Sequence, residues 1–468
     1  MFVLNNCKRD ARVLKEAKTL TEAGHDVRII AIMDESRVPY EEKDGFRIIR
    51  IDWDPVHHRV LRAIMKAESF AIGLILRLSM WIYQRTGRSI IPSSYKIEQP
   101  SISTPREVEQ RFSSATLEGV PLILRAYRCL RRILYRVLRT PIQPFARQLY
   151  LVDYYSRSWQ IVKDEPADIY HSHDLPTLPT GYIMKRRTGG KLVYDSHELF
   201  TELHYIGSTD RRIFRRLERC LIHRADAVII PNEFAAKELA KRYGIGLPSV
   251  VRNCPPMVRQ VDKRHNSSLR RDLGLDDTVP IIVHIGIFSR SRGSEKLVAA
   301  VPFLNGGVVV FLGWGAGVEE ATLRKLVRRG GLEDRVLFAP PVAPDDVVGY
   351  ISSAQVGVVL FRNISLNHYY VAPNKLWECM NAGLPVVSSN FPVLKAIVEG
   401  YGLGCTCDPE YPRDIANAIN WVLSDKKRYD EMKRNALKAA KIFNWENESK
   451  ELLKIYRRLS KQADVRTA

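Results

Sequence analysis

The segment Ala372-Pro-Asn-Lys-Leu-Trp-Glu-Cys-Met-Asn-Ala-Gly-Leu-Pro-Val-Val387 gathers groups that can hold a diphosphate and a ribose. Pro373 and Asn374 suit a helix start, with Asn374 as N-cap. The free backbone N–H groups of such an end make a site for a diphosphate. Lys375 adds a positive charge in the first turn, and Glu378, one turn further in, can accept two hydroxyl hydrogen bonds from a ribose. Taken singly, Lys375 also reads as a solvated surface residue and Glu378 as compensation for the helix dipole. Gly383-Leu-Pro385 then closes the helix and starts a buried strand.

Other chemistry-bearing pieces stand along the chain in order: Asp10-x-Arg12-Val-x-x-Glu16-Ala17, Tyr170-His-Ser-His173-Asp174, Tyr194-Asp-Ser-His197-Glu198, His284-Ile-Gly286 with Arg292-Gly293, and Gly313-Trp-Gly315. Together with Pro-Asn-Lys-Leu-Trp-Glu-x-Met-x-Ala-Gly-Leu-Pro-Val-Val, this order resembles the family 4 (group 1) retaining glycosyltransferases, which have the GT-B fold. The resemblance covers residues 1–52 and roughly 165–460. It implies catalytic roles for His173, Glu378 and Arg292, with Glu378 on the nucleotide ribose and Arg292 on the phosphates. It implies a donor site of Gly286, Arg292, Gly313, Gly315, Asn374, Lys375, Leu376 and Glu378, and an acceptor side of Arg12, His173, Asp174, His197 and Glu198. Basic groups would then neutralise charge on the departing diphosphate without a metal. Gly286 and Gly313 would let strand-end loops approach the nucleotide, although both also read as plain turn residues. The chain departs from the family at two places. Tyr370 stands where many members carry a second glutamate, eight positions before Glu378, and Ile287 where many carry an arginine; Arg290 is the nearby substitute.

The elements that must position these groups alternate strand and helix. Asp10–Ala23 carries Val13, Ala17, Leu20 and Ala23 at helical spacing, Gly24 stops it, and Val27–Ile32 follows as a strand, giving one βαβ unit and a parallel sheet. Alternation resumes at Ile169, Leu192–Asp195 and Ala227–Ile230. Beyond Asn253-Cys-Pro-Pro256, a linker, a second series begins at Ile281–Ile285, Val308–Leu312, Arg335–Phe338, Val356–Phe361 and Val386–Ser388. The expected fold is α/β: two Rossmann-like domains facing each other across a cleft, with a helical insertion in the first. The expected domains are 1–253 (acceptor side, basic insertion at about 55–160), 254–440 (nucleotide-sugar donor side) and a 441–468 helix packing back on the first domain. Ligands of such sheets bind at the carboxyl ends of the strands, hence in the cleft.

The balance of 72 Lys+Arg against 52 Asp+Glu gives +20, which favours an anionic partner. Between Gly119 and Val152 there is no acidic residue, and Arg125, Arg128, Arg131, Arg132, Arg136 and Arg139 interleave with Leu122, Ala126, Leu130, Ile133, Leu134, Val137 and Leu138. That pattern suits a basic amphipathic helix at a phospholipid surface, each charge contributing about 1 kcal/mol near an anionic leaflet. Phe70–Tyr83 is more apolar but shorter than a bilayer span. Nucleic acid is not expected, for want of a zinc-site, homeodomain or RNA-binding aromatic pattern. Asp52-Trp-Asp54 has the form of a metal-binding D-x-D, common by chance, and no metal site is expected. No phosphate loop or Gly-x-Gly-x-x-Gly after a strand is present, against an ATPase or dinucleotide dehydrogenase. The seven scattered cysteines read as reduced thiols, and Met1–Cys7 lacks the form of a signal peptide. The expected place is the cytoplasm, peripheral on the inner face of the membrane. The expected co-substrate is a UDP- or GDP-linked sugar, with no other cofactor, and the acceptor a lipid-linked or polysaccharide hydroxyl. Two alternatives remain at this stage: a sugar-nucleotide epimerase, which would need no acceptor, and a degenerate subunit, which would bind nucleotide without turnover.

Overall fold

The computed structural model describes residues 1–8, 10–52, 85, 146–257, 268–315, 318–344 and 346–467. The chain forms two compact units, residues 1–51 with 158–468, and residues 52–157. Of the second unit, the start of the helix Ala146–Val162 is described. The Phe70–Tyr83 run, the arginine-rich stretch from 119 to 145 and the D-x-D beyond Asp52 lie outside the described residues. Among the described residues no helix is long and apolar enough to cross a membrane.

The first unit carries two sheets. In the N-terminal half, strands β1 (Arg28–Ile32), β2 (Tyr40–Lys43) and β3 (Phe46–Ile51) form one set, and β4 (Ile169–His173), β5 (Lys191–Asp195), β6 (Ala227–Ile230) and β7 (Ser249–Val250) the other. Phe2 pairs in parallel with both Ile30 and Ser172, so the first residues of the chain fill the gap between β1 and β4. Among the described strands of this half, only β2 runs antiparallel. The helix Ala11–Glu22 buries Val13, Ala17 and Leu20 on this sheet; the Asp10 carboxylate caps it by accepting from the Val13 N–H, and Gly24 ends it at φ +90°.

The C-terminal half is an all-parallel sheet in the order β10 (Val336–Ala339), β9 (Val308–Gly315), β8 (Ile281–Phe288), β11 (Val356–Val359), β12 (Val386–Ser389), β13 (Gly404–Cys407). Helices cover both faces, so Ile281–Ile285, Val308–Leu312 and Val356–Val359 are buried throughout, as continuous apolar runs of parallel strands should be. The two halves are tied twice. Residues 251–257 connect them with Val251 and Cys254 buried. The helix Trp445–Thr467 returns to the N-terminal half, where Leu452, Ile455, Tyr456 and Leu459 enter the core and Trp445 Nε1 donates to Thr19 Oγ1 at 2.8 Å. Each such apolar side chain contributes about 1.5–3 kcal/mol by leaving water.

Candidate functional site

At the carboxyl ends of β8 and β9 two glycines sit side by side, Gly286 in register with Gly313. Gly313 has φ +142°, and a Cβ on it would lie 2.2 Å from the Gly286 carbonyl oxygen, so no other residue fits. Gly286, at φ +96°, faces Arg292, whose Nη1 would be 3.7 Å from a Cβ at Gly286. The Arg292 guanidinium lies 5.8 Å from the centre of the Phe361 ring, and the Lys375 ammonium 5.0 Å from the same ring. Lys375 is only 5% exposed, and its Nζ has no hydrogen-bond partner among the described residues. Burial, then the nearby Arg292 charge, pushes its pKa down to about 7. Burial lowers the pKa of Arg292 as well, Glu198 from the other half opposing. Glu378 is pushed up to about 7 by burial, with Lys375 opposing. His284 is fully buried, and burial, then Lys375 and Arg292, holds it well below its ordinary value, the Ile287 backbone opposing.

The helix Asn374–Asn381 supplies Lys375 and Glu378. Its cap residue is Pro373, in an extended conformation, and Asn374 is the first helical residue, not the N-cap expected from sequence. The Asn374 side chain instead accepts from Asn253 Nδ2 at 3.1 Å. The backbone amides of Asn374 and Lys375 keep no partner among the described residues, but the Leu376 N–H is taken by the Pro373 carbonyl at 3.0 Å. Leu376, expected in the donor site, is buried in the core beside Trp377, where its apolar side chain serves packing. Arg290 does not join Arg292 either, since its side chain is 73% exposed and faces Glu295 at 3.9 Å. Gly315 gives its N–H to Glu320 at 3.0 Å, and a Cβ there would meet Glu320 Cβ at 2.4 Å; it fixes the start of the following helix.

The opposite face, from the N-terminal half, is a buried cluster built around an Arg12–Asp195 ion pair, in which Glu16 Oε1 and Oε2, His171 Nε2 and His173 Nε2 have no hydrogen-bond partner among the described residues. Arg12 is 3% exposed; Nε and Nη2 donate to the two Asp195 oxygens at 2.9 and 2.8 Å, and Nη1 donates to the Val251 carbonyl at 2.8 Å. Glu16, one turn on, lies 3.0 Å from the same guanidinium. Arg12, expected on the acceptor side, is thus committed to its own protein. Burial alone would raise Asp195, yet Arg12 and the neighbouring histidines hold it well below the carboxylate range, while burial and Asp195 push Glu16 well above. His171 stacks on His173 with ring centres 4.3 Å apart, and its Nδ1 is hydrogen-bonded to the Tyr456 hydroxyl at 2.9 Å. His173 Nδ1 is hydrogen-bonded to His197 Nε2 at 3.0 Å, and His197 Nδ1 lies 3.4 Å from Asp174. Asp174 holds a strained φ of +63° while its Oδ1 accepts the His197 N–H at 3.1 Å. Glu198 accepts from Asn367 of the C-terminal half at 2.8 Å, and burial, then Asp174, pushes it up to about 7. Glu16, His171, His173 and Asp195 offer ligand atoms within 4.8 Å of one another; the sequence reading expected no metal, and the charge of Arg12 sits inside this group.

Between the faces lies a cavity of about 580 Å³ lined by Arg12, His197 and Glu198 with Asn5, Asn6, Asn232, Asn253, Asn367, Tyr370 and Asn374 among others. Apart from Asn374, the asparagines of this lining are not assigned to the site from the sequence, where they carry no pattern of their own, and neither is the Phe361 platform. Glu16 has no role in the sequence reading, although its i,i+4 spacing from Arg12 is a readable sign of an ion pair.

Residues 266–439 match the family model described as "Glycosyl transferases group 1", and residues 116–254 the one described as "Glycosyl transferase 4-like domain". A D-inositol 3-phosphate glycosyltransferase of Nocardioides sp. is 27% identical over 327 residues, 64% of this chain and 69% of that protein. Among solved structures, sucrose-phosphate synthase from Thermosynechococcus elongatus is similar with TM-score 0.66 at 18% identity, over 96% of this chain and 93% of the other. Anabaena HepE, in complex with UDP and glucose, is similar with TM-score 0.52 at 21% identity, over 66% and 81% of the two chains.

Proposed function

This chain belongs to the group 1 (family 4) glycosyltransferases of the GT-B fold, and from that membership we propose that it moves a sugar from a nucleoside diphosphate sugar to an acceptor hydroxyl with retention of configuration. One observation carries the reading. Lys375 is a buried ammonium with no hydrogen-bond partner among the described residues, set beside a second cation, Arg292, over one aromatic ring. A buried unpaired charge is costly, and two of like sign are costlier still; a diphosphate between them offsets both. In this reading Arg292 and Lys375, with the open amides of Asn374 and Lys375, take up the charge that builds on the departing diphosphate. These side chains would supply the positive charge that a metal ion supplies elsewhere. Glu378 takes the ribose hydroxyls. His173, fixed by His197, faces the transferring sugar or acceptor from the other half.

The acceptor is proposed to be lipid-linked or a growing polysaccharide at the inner face of a membrane, on the strength of the acid-free, arginine-rich stretch from 119 to 152. Anionic vesicles should sediment the protein, and a chain lacking residues 119–150 should stay in solution. For the donor, UDP is the first nucleotide to try, since the similar Anabaena structure holds it. Calorimetry against UDP, GDP, ADP and TDP should find one that binds. Arg292→Ala and Glu378→Ala should each weaken it by about 1.5–3 kcal/mol, a charge-assisted hydrogen bond apiece. Unchanged affinity in both variants would remove them from the site.

A further inference from the structure

We infer that the accepting unit is an uncharged sugar read by amides, and not a sugar phosphate; this rests on the glycosyltransferase reading above. The cavity of about 580 Å³ falls within the roughly 300–1,000 Å³ of small-ligand sites. Six asparagines line it: Asn5, Asn6, Asn232 and Asn253 from the N-terminal half, Asn367 and Asn374 from the C-terminal half. Four of them are held by one hydrogen bond at each end. Asn5 bridges the Cys7 N–H and Asp10, Asn6 the Lys8 N–H and Asp34, Asn232 the Ala235 N–H and the Tyr370 carbonyl, and Asn367 the Leu199 N–H and Glu198. An amide fixed in this way keeps one N–H and one lone pair over, a donor and an acceptor already oriented. Asn253 goes further: it donates to Asn374, while its own Oδ1 is buried with no hydrogen-bond partner among the described residues. Vicinal sugar hydroxyls, each donor and acceptor at once, complement such a lining.

The charge of the cavity points the same way. Among the described residues that line it, Arg12 is the single lysine or arginine, and its guanidinium is committed to Asp195 and Val251. Asp10 and Glu198 line it as carboxyl groups. A phosphate on the acceptor would meet these acids with no free cation to answer it, since Arg292 and Lys375 lie outside the lining and serve the donor diphosphate. The similar proteins named for inositol 3-phosphate and sucrose phosphate would differ from this chain at that point.

The test uses the full chain saturated with the nucleoside diphosphate that binds best, so that phosphates cannot occupy the donor site. Saturation-transfer NMR then compares methyl glucoside, methyl galactoside, maltose and myo-inositol with glucose 6-phosphate, galactose 6-phosphate and inositol 3-phosphate. Neutral probes should bind, and no phosphorylated probe should bind more tightly than its neutral counterpart. Asn253→Ala should weaken the best neutral probe about 2–10-fold, one neutral hydrogen bond. Asn5→Lys or Asn6→Arg, each placing a cation in the lining, should improve a phosphorylated probe about tenfold, equivalent to one favourable charge contact. A phosphorylated probe preferred by the unaltered protein, or no neutral probe bound, overturns the inference while nucleotide binding stands. Failure to bind any nucleoside diphosphate sinks the parent reading instead.

Discussion

On the N-terminal face of the cleft Arg12 is 3% exposed and answered by Asp195, Glu16 and the Val251 carbonyl; on the C-terminal face Lys375 is 5% exposed and its ammonium has no hydrogen-bond or ion-pair partner among the described residues. The two cations are equally deep, so burial alone does not separate scaffold from site. What separates them is whether the folded chain completes the pairing. Where it does, charge fixes the positions of His171, His173 and His197; where it does not, the protein keeps an electrostatic debit that an anionic ligand cancels.

Substitution should therefore have opposite signs on the two faces. Arg12→Met strands Asp195 and Glu16 in the interior, and breaking a buried pair from one side costs about 3–5 kcal/mol. That is the largest effect expected, read as a lower urea midpoint, and an unshifted midpoint would dissolve the contrast. Lys375→Met should instead stabilise the ligand-free protein by about 1–3 kcal/mol, because it removes an unpaired buried charge, while weakening nucleoside diphosphate binding. The pH dependence has a definite sign. The folded pKa near 7 lies below the ordinary 10.5, so between those values the unfolded chain holds the extra proton. Stability of the ligand-free protein should rise with pH across that window and lose that slope in Lys375→Met. A variant that melts lower, with the slope intact, would mean that Lys375 is paired after all.

Much of the architecture was legible, because parallel strands buried on both faces write themselves as apolar runs: Ile281–Ile285, Val308–Leu312 and Val356–Phe361 were placed within a few residues of their observed limits. The site was legible as a set of residue types and not as a set of roles. The chemistry of Asn374 suits a cap, yet Pro373 fills that place with the extended backbone a proline favours. The motif around Leu376 marks a donor site, and only the fold shows that its side chain packs in the core beside Trp377. The Arg12–Glu16 pair is legible in its i,i+4 spacing, but the state of Lys375 and the main partner of Arg12 cannot be read locally. The ring below Lys375 comes from Phe361, two residues past the end of β11, and Asp195, which takes two hydrogen bonds from Arg12, stands 183 positions away. Pairing across such distances is set by the sheets and leaves no spacing in the sequence.

The smallest effect probes how far the paired network reaches. The Tyr456 hydroxyl, on the returning C-terminal helix, is hydrogen-bonded to His171 Nδ1 at 2.9 Å, and His171 stacks against His173. Tyr456→Phe keeps the ring in the N-terminal core and deletes only that bond, for a loss of about 0.5–1.5 kcal/mol. If the N-terminal face is scaffold and the C-terminal face holds the diphosphate, the cost appears in the unfolding midpoint and nucleotide affinity stays the same. A change in nucleoside diphosphate affinity comparable to that of Arg292→Ala would mean that the histidine column feels the donor directly, and the division of labour between the faces would have to be redrawn with His171 on the ligand side.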